Sequence, residues 1–200
     1  MLKWLANKKI AIDIDDVLSL TVRSFLEFLK ECHEIDMHYD EFTNYRAHEL
    51  DAFRSKNIDE DGVYSLWIDF SSSHIGKQME IIEWSSDGLR RLLQEWYELT
   101  LITARNESLR DYTQNWLNLR FPDIDFSWIH FTGGLKWAHI KKSVICKQHW
   151  IGLMIEDNAE NVIELAENWI KSYLFTKPWN KHHTIDHPYI KRIDSWGEIQ

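Results

Sequence analysis

Short apolar runs alternate with amphipathic segments along most of the chain. The first run is residues 9–14 (KIAIDI), and four later runs of apolar and β-branched residues lie at residues 99–104, 126–132, 151–157 and 172–176. Runs of this length and composition predict buried strands. Because most of them are continuously apolar, we expect strands that are covered on both faces of a sheet.

Segments with apolar residues at helical spacing lie between these runs. They predict helices over residues 19–35, 85–98, 108–121, 136–149 and 158–170. Ser85 or Ser86 and Asn158 or Asn161 are N-cap residue types near two helix starts, and Pro122 stops the helix that precedes it. Strands that alternate with helices predict an α/β fold with a mostly parallel sheet flanked by helices.

Residues 36–82 interrupt this rhythm with a polar and aromatic stretch of less regular pattern. We expect helices near residues 39–50 and 59–72. The whole chain has 200 residues and is 44% hydrophobic, which is enough for one buried core with a small subdomain. Its eleven tryptophans imply a large buried aromatic area.

Charge and cysteine usage narrow the class of protein. The net charge of -9 disfavours a nucleic-acid-binding surface, and no apolar run approaches the roughly 18 residues that span a bilayer. Cys32 and Cys146 have no CxxC partner, so we expect no disulfide framework and two buried apolar thiols. The opening residues MLKWLANKK lack the apolar core of a signal peptide. A cytoplasmic setting is therefore expected, with no membrane or nucleic-acid partner.

Reactive side chains follow three of the predicted strands, and a lysine pair lies between the second and third of these strands. These residues are Asp13, Asp15 and Asp16 after the first strand, Thr103 and Arg105 at the second, Lys141 and Lys142 in the predicted helix, and Glu156 and Asp157 at the third. The carboxyl ends of parallel strands meet at one edge of a sheet, where ligands bind in open α/β folds. We therefore expect these groups to form one site.

The chemistry of such a site is phosphoryl transfer. Carboxylates from two strands can hold a hard divalent cation such as Mg²⁺ through oxygen ligands. A hydroxyl and an ammonium can hold an anion beside that cation. A carboxylate nucleophile, a second carboxyl for proton transfer, a metal and an anion clamp are the parts needed for reaction through an aspartyl-phosphate.

Four motifs in this order are similar to those of the haloacid-dehalogenase-like phosphatase superfamily. AIDIDDVL resembles the first motif, LTLITAR the second, and KSVICKQHWIGLMIEDN the third and fourth, and together they span residues 10–161. The resemblance implies a Rossmann-like fold. It also implies that Asp13 is the nucleophile and a metal ligand, and that Asp15 protonates the leaving oxygen, activates water and offers its backbone carbonyl to the metal.

The resemblance also implies roles for the later motifs. Thr103 would hydrogen-bond a phosphoryl oxygen, with Ala104 and Arg105 beside it as substrate-binding residues. Lys142 would neutralise the phosphoaspartate, with Lys141 as the second choice and Lys136 the third. The expected cofactor is Mg²⁺, bound directly by Asp157 and directly or through water by Glu156. Asp15 separates phosphatases and phosphotransferases from dehalogenase-type members, which lack this second acid.

A narrower resemblance links the chain to 5'(3')-deoxyribonucleotidases and related bacterial nucleotidase-like proteins. AIDIDDVL, the insert after it, IEDNAENV and the tail YIKRIDSWGEI carry this similarity. It implies a catalytic core at residues 1–17 and 83–200, a helical cap at residues 18–82, and a small phosphorylated substrate, with a nucleotide favoured by family analogy. The alternatives are a phosphatase of another small metabolite such as a sugar phosphate, or a protein that keeps the fold and only binds.

Several residues carry two interpretations from the sequence. Asp16 is expected to be structural or solvated, and Arg105 could pair with a site carboxylate or lie in a loop. Trp67 and Phe70 could stack on a flat leaving group but more often such residues pack in a core. Asn161 could support the metal shell, and three tail histidines are expected at the surface: His182, His183 and His187. No GxGxxG follows the first strand, which disfavours a dinucleotide-binding protein.

Overall fold

Six parallel strands form one sheet within residues 8–133 and 140–199, the part of the chain that the computed structural model describes. The strand order is β3-β2-β1-β4-β5-β6. The strands are β1 (Lys9–Ile12), β2 (Glu98–Asn106), β3 (Trp128–Gly133), β4 (Leu153–Glu156), β5 (Lys171–Phe175) and β6 (Ile190–Ile193). Every neighbouring pair is parallel, so all carboxyl ends lie at the same edge.

Helices surround this sheet and also fill the connection between β1 and β2. They are α1 (Thr21–His33), α2 (Asp51–Arg54), α3 (Glu60–Ser72), α4 (His74–Lys77), α5 (Ser85–Gln94), α6 (Arg110–Arg120), α7 (Lys142–Gln148) and α8 (Ala159–Glu167). The predicted α/β fold with a parallel sheet is confirmed.

Both faces of the sheet are buried, as the continuous apolar strands predicted. Along β1, Ile10 and Ile12 belong to one hydrophobic cluster that includes residues of α5 and α6. Ala11 points to the opposite face and belongs to a second cluster with residues of α7 and α8. Successive side chains of a strand point to opposite faces, so one short strand supports both layers of helices. The central position of β1 places its carboxyl end in the middle of the sheet edge.

The insert between β1 and α5 begins and ends at the same place. The Leu20 amide donates to the Glu80 carbonyl at 2.9 Å, and the Ile82 amide donates to the Leu18 carbonyl at 2.8 Å. Ser19 and Ile81 form an antiparallel bridge between these two hydrogen bonds. These two hydrogen bonds lie at the expected limits of the insert, residues 18–82. The division into core and cap stays a prediction.

Aromatic rings pack the helices of the insert against each other. Phe25 of α1 stacks on Trp67 of α3 with ring centroids 3.6 Å apart, and Phe70 meets Phe25 edge-on. Phe25 and Phe70 are buried and belong to the same hydrophobic cluster as Ile10 and Ile12 of the sheet. The insert is therefore anchored to the core by continuous apolar contact.

Secondary structure differs from the sequence prediction in several places. Residues 39–50 contain two 3-10 turns instead of one α-helix, at Tyr39–Glu41 and Ala47–Glu49. The helix expected at residues 59–72 is present as α3, with Asp59 as its N-cap. Neither Ser85 nor Ser86 caps α5, because Trp84 occupies the N-cap position in the left-handed region at φ 65°. The strand β6 was not predicted.

Two further differences concern the predicted helix over residues 136–149 and the buried aromatic area. The helix begins at Lys142, and residues 136–139 lie outside the described residues. Many of the described tryptophans are exposed and add less to the buried aromatic area than expected, although Trp116, Trp179 and Trp196 are buried. Five exposed tryptophans are Trp84, Trp96, Trp128, Trp150 and Trp169. Trp96, Trp150 and Trp169 have positive φ values just beyond helix ends, where the chain turns in solvent before the next strand.

The two cysteines also have different environments. Cys146 is fully buried, as expected, but Cys32 is exposed, so the prediction that both are buried is wrong. Cys32 lies in the last turn of α1 on its polar side, among exposed residues. Among the described residues, no helix has the length and apolar character needed to cross a membrane.

Candidate active site

Asp13 stands at the carboxyl end of β1, in the centre of the sheet edge. Its backbone amide donates to the Ile155 carbonyl at 3.0 Å, which continues the pairing of β1 with β4. Its carboxylate is held on both sides: Oδ1 accepts the Ile14 amide at 2.8 Å, and Oδ2 lies 2.9 Å from Lys142 Nζ. The side chain is buried, so this fixed carboxylate is shielded from bulk water.

Lys142 is the lysine that reaches this carboxylate. It lies in the first turn of α7, is only 4% exposed, and places Nζ 2.8 Å from Glu156 Oε2. The two carboxylates raise the pKa of Lys142 although burial opposes this effect. Lys141 has an exposed side chain whose Nζ is 3.9 Å from Glu164, away from Asp13. Lys136 lies outside the described residues.

Glu156 is buried at the end of β4 and has both carboxylate oxygens occupied. Oε2 pairs with Lys142, and Oε1 accepts the backbone amides of Asp157 and Asn158, each at 3.2 Å. These contacts make Glu156 an anchor for Lys142 and for the turn that follows the strand.

Asp15 forms an ion pair with Arg105. The guanidinium donates through Nη2 to Oδ1 at 2.7 Å and through Nε to Oδ2 at 3.1 Å, and the Thr21 hydroxyl donates to Oδ1 at 2.7 Å. Burial opposes ionisation of Asp15, but Arg105 and Thr21 lower its pKa overall. Of the two interpretations of Arg105, the structure shows the pairing with a site carboxylate.

The end of β2 brings the second motif beside Asp15. Thr103 is fully buried, and its hydroxyl accepts the Arg105 amide at 3.2 Å. The pairing of β2 with β3 shifts register between Thr103 and Asn106. A Cβ on Gly133 would lie 2.0 Å from the Ala104 carbonyl oxygen, so only glycine permits this close approach of β3. Ala104 and Arg105 line the cavity described below, whereas the buried Thr103 is not among its lining residues.

Asp157 is held by residues that the sequence analysis missed. Its Oδ2 accepts Trp179 Nε1 at 3.1 Å and also the Tyr45 hydroxyl, while its carbonyl accepts Asn180 Nδ2 at 2.6 Å. Its Oδ1 is buried without a hydrogen-bond partner among the described residues. Tyr45 is 112 positions away from Asp157 along the chain, and no local pattern connects the two.

The carboxyl groups at this edge outnumber the basic groups beside them. One oxygen each from Asp13, Glu156 and Asp157 lies within 4.8 Å of the other two. Burial raises the pKa of Asp13 and that of Asp157, the latter to about 8, and in both the repulsion of nearby carboxylates adds to the effect. Lys142 supplies one positive charge to this group. The unpartnered Asp157 Oδ1 and the surplus of carboxyl groups together fit a hard cation with oxygen ligands.

A cavity of about 300 Å³ opens in front of these carboxylates. Its floor includes Asp13, Asp15 and Glu156, and its walls include residues of the insert and of the segment after β2. Most of the walls are aromatic or aliphatic side chains: Phe42, Tyr64, Trp67, Ile68, Leu109 and Tyr112. The cavity therefore combines a charged floor with apolar walls that can accept a flat or apolar group.

The remaining predicted residues have the following places. Asp16 is buried, with Oδ2 accepting the Val22 amide at 3.0 Å at the start of α1, which is a structural role. Asn161 lines the cavity. Trp67 packs on Phe25, Phe70 is buried beside it, and both line the cavity, so their packing role is shown and stacking on a leaving group stays a prediction. The three tail histidines are exposed, as predicted.

Comparison with known proteins finds relatives over nearly the whole chain. No family model matches the chain. A protein of Halalkalibacterium halodurans named "Putative nucleotidase" is 28% identical over 198 residues, which covers 97% of this chain and 91% of that protein. A Bacillus subtilis protein with the same descriptive name is 28% identical over 191 residues, covering 95% of this chain and 90% of that protein.

Solved structures share the fold at low sequence identity. A hydrolase of the haloacid dehalogenase-like family from Streptococcus pneumoniae superposes with a TM-score of 0.63 at 15% identity, covering 96% of each chain. The predicted resemblance to bacterial nucleotidase-like proteins is confirmed, and the fold is shared with a haloacid-dehalogenase-like hydrolase. The predicted Rossmann-like α/β fold is confirmed as well.

Proposed function

We propose that this protein is a phosphomonoester hydrolase that works through a phosphoryl group carried on Asp13. The observation that carries the proposal is the buried cluster of Asp13, Lys142, Glu156 and Asp157, of which Asp13 and Glu156 line an apolar-walled cavity. A nucleophilic carboxylate, a fixed ammonium and a neighbouring carboxyl for proton transfer are the groups that this reaction needs. The nucleotidase names of the two relatives point to the same class of reaction.

In the first step, an Asp13 carboxylate oxygen attacks the phosphorus atom, and the bond from phosphorus to the leaving oxygen breaks. The Ile14 amide and Lys142 hold the Asp13 carboxylate in a fixed orientation, which lowers the entropic cost of reaching the attack geometry. Lys142 also balances the charge on the phosphoryl oxygens. Thr103 is proposed to hydrogen-bond one of these oxygens once the hydroxyl turns from the Arg105 amide.

Asp15 is the proposed proton carrier. It gives a proton to the leaving oxygen in the first step, and in the second it accepts one from the water that attacks the Asp13-bound phosphorus. The ion pair with Arg105 keeps Asp15 in the ionised form that suits the second step. A phosphate dianion that enters beside Asp13 competes for Arg105, and loss of the ion pair raises the pKa of Asp15 towards that of a proton donor.

We propose Mg²⁺ as the cofactor, held by Asp13, Asp157 and the Asp15 carbonyl, with Glu156 acting directly or through water. The residues fit a hard cation, because Asp157 Oδ1 has no other partner within the described chain and the carboxyl groups of the cluster outnumber its basic groups. When bound, the ion supplies charge neutralisation to the phosphoryl group. Asp157 is fixed for this purpose by Trp179 and Asn180.

The favoured substrate class is a nucleotide, with residues 18–82 acting as a cap over the site. The cavity walls provide aromatic side chains from this insert and from α6, and such walls suit a flat, uncharged leaving group such as a nucleoside. The ends of the insert are hydrogen-bonded to each other at Leu18 and Ile82. This single attachment point allows the insert to cover the carboxylates at the floor of the cavity. A cap in this place excludes water from the reacting groups.

The test is phosphate release from nucleoside 5'- and 3'-monophosphates, sugar phosphates and an aryl phosphate, with Mg²⁺ or EDTA. Wild type should release phosphate with Mg²⁺, and Asp13→Asn should lose at least 10³-fold (on the order of the loss when a nucleophile is removed) while its circular dichroism is unchanged. Preference for a sugar phosphate would replace the nucleotide assignment. A folded wild-type protein that releases phosphate from none of these substrates would contradict the hydrolase and favour a binding protein.

A further inference from the structure

We infer that Tyr45 is a positioning residue for Asp157, and that it makes metal affinity depend on the docking of residues 39–46 against the core. The inference rests on the proposed function, since it assigns a role toward the proposed cation. Its starting observation is the hydrogen bond from the Tyr45 hydroxyl to Asp157 Oδ2. This bond joins the insert to a carboxylate at the end of β4.

The two oxygens of Asp157 have different surroundings. Oδ2 accepts two neutral donors, the Tyr45 hydroxyl and Trp179 Nε1. Oδ1 is buried and has no partner within the described residues. Two donors on one oxygen restrict the rotation of the carboxylate and leave the other oxygen without a donor, and one Asp157 oxygen lies within 4.8 Å of one oxygen each of Asp13 and Glu156. A carboxylate ligand held in this way loses less entropy when it binds a cation.

The Tyr45 hydroxyl is suited to remain a donor. The residue as a whole is 43% exposed, but its hydroxyl end reaches the buried Asp157. The hydroxyl is therefore an uncharged donor to Asp157 Oδ2.

Trp179 connects this contact to the docking of the insert. Its indole ring meets the rings of Tyr39, Phe42 and Tyr45 edge-on, with centroids 5.9, 5.8 and 5.4 Å away. The same indole donates to Asp157. Residues 39–46 therefore pack on Trp179, the side chain that orients the proposed metal ligand Asp157. If the segment leaves, Asp157 Oδ2 loses one of its two donors.

The matched pair of variants is Tyr45→Phe and Tyr39→Phe. Both keep an aromatic ring against Trp179, but only Tyr45→Phe removes a described hydrogen bond to Asp157. Binding of Mn²⁺ and of Mg²⁺ to the metal-free proteins is measured by calorimetry, and thermal unfolding is followed in EDTA. These readouts do not depend on turnover.

The expected result is a dissociation constant for the metal that rises about 10- to 100-fold in Tyr45→Phe, the range for loss of a group that supports a ligand. Tyr39→Phe should bind metal as wild type does, and both variants should unfold in EDTA close to the wild-type temperature. Unchanged or tighter metal binding by Tyr45→Phe would overturn the inference. A lower unfolding temperature in EDTA with unchanged affinity would also overturn it, because Tyr45 would then have only a packing role.

Failure of the proposed function is distinguishable from failure of this inference. Wild type that binds neither Mn²⁺ nor Mg²⁺ would contradict the proposed metal site itself, and the role of Tyr45 toward it would fall as well. If wild type and Tyr45→Phe bind metal with equal affinity, the proposed metal site stands and only the role of Tyr45 is contradicted.

Discussion

Lys142 is the buried positive charge that pairs with two carboxylates of the site. It stands in the first turn of α7, where a positive charge is disfavoured by the helix dipole, and its aliphatic stem is buried. The compensation comes from Asp13 Oδ2 at 2.9 Å and Glu156 Oε2 at 2.8 Å. Removing one partner of a buried charged group costs more than the pair contributes, because the remaining charges stay buried and unpaired.

Replacement of this lysine should therefore be costly. We expect Lys142→Ala to lower the free energy of unfolding by about 3–5 kcal/mol, the range for breaking a buried ion pair. Lys141→Ala is the control: its side chain is exposed and 3.9 Å from Glu164, so its effect should stay within about 0.5 kcal/mol. Urea unfolding in EDTA measures both. Equal losses for the two variants would contradict the assignment of Lys142 as the site lysine.

At the scale of the element, the cap residue of α8 connects the site to the sheet. Asn158 follows the paired acids at the end of β4, and its Oδ1 accepts the amides of Glu160 at 2.8 Å and Asn161 at 3.2 Å. The turn therefore does two things at once, since the same few residues end the strand β4 and start the helix α8. The N-cap predicted here is confirmed, whereas the serine cap predicted for α5 is wrong.

This difference gives a matched pair of variants. Asn158→Ala should lower the free energy of unfolding by about 1 kcal/mol, the usual effect of losing an N-cap side chain. Ser86→Ala should be neutral or slightly stabilising, because Ser86 lies inside α5 and alanine has the higher helix propensity. Denaturant unfolding of both proteins in EDTA separates these effects from metal binding. If Ser86→Ala lowered the free energy of unfolding by about 1 kcal/mol, Ser86 would be the cap of α5 after all.

At the scale of the whole molecule, burial gives the two cysteine thiols different reactivity. Cys146 of α7 is packed in the cluster on one face of the sheet, and its burial raises the pKa of the thiol to about 12. Cys32 in the last turn of α1 is exposed. Thiolate is the reactive form of cysteine, so the fold should make one of the two thiols inert.

Thiol labelling at pH 8 tests this difference in reactivity between Cys32 and Cys146. The native protein should react with an aromatic disulfide reagent at one thiol per chain, and the protein in guanidinium chloride should react at two. Cys32→Ser is the control, and its native form should react at none during the same interval. Rapid labelling of native Cys32→Ser would mean that Cys146 is accessible and that the packing of α7 on the sheet is looser than described.

The sequence by itself determined the alternation of strands and helices, the site edge and the identity of Asp13, Asp15 and Asp157. These follow from short-range patterns, because apolar runs define strands and acids at their ends fall at one edge of a parallel sheet. The proposed roles of these residues come from chemistry and family resemblance, and they stay proposals until tested.

Only the tertiary structure decided which lysine reaches Asp13, that Arg105 holds Asp15, and that Tyr45 and Trp179 hold Asp157. Tyr45 meets Asp157 across 112 positions of chain, and such contacts depend on the packing of the insert. Lys141 and Lys142 are adjacent and chemically identical in the sequence, but Lys142 is buried in the first turn of α7 and Lys141, at its N-cap, is exposed. A local pattern carries no information about this difference, because it depends on where the start of the helix packs against the sheet.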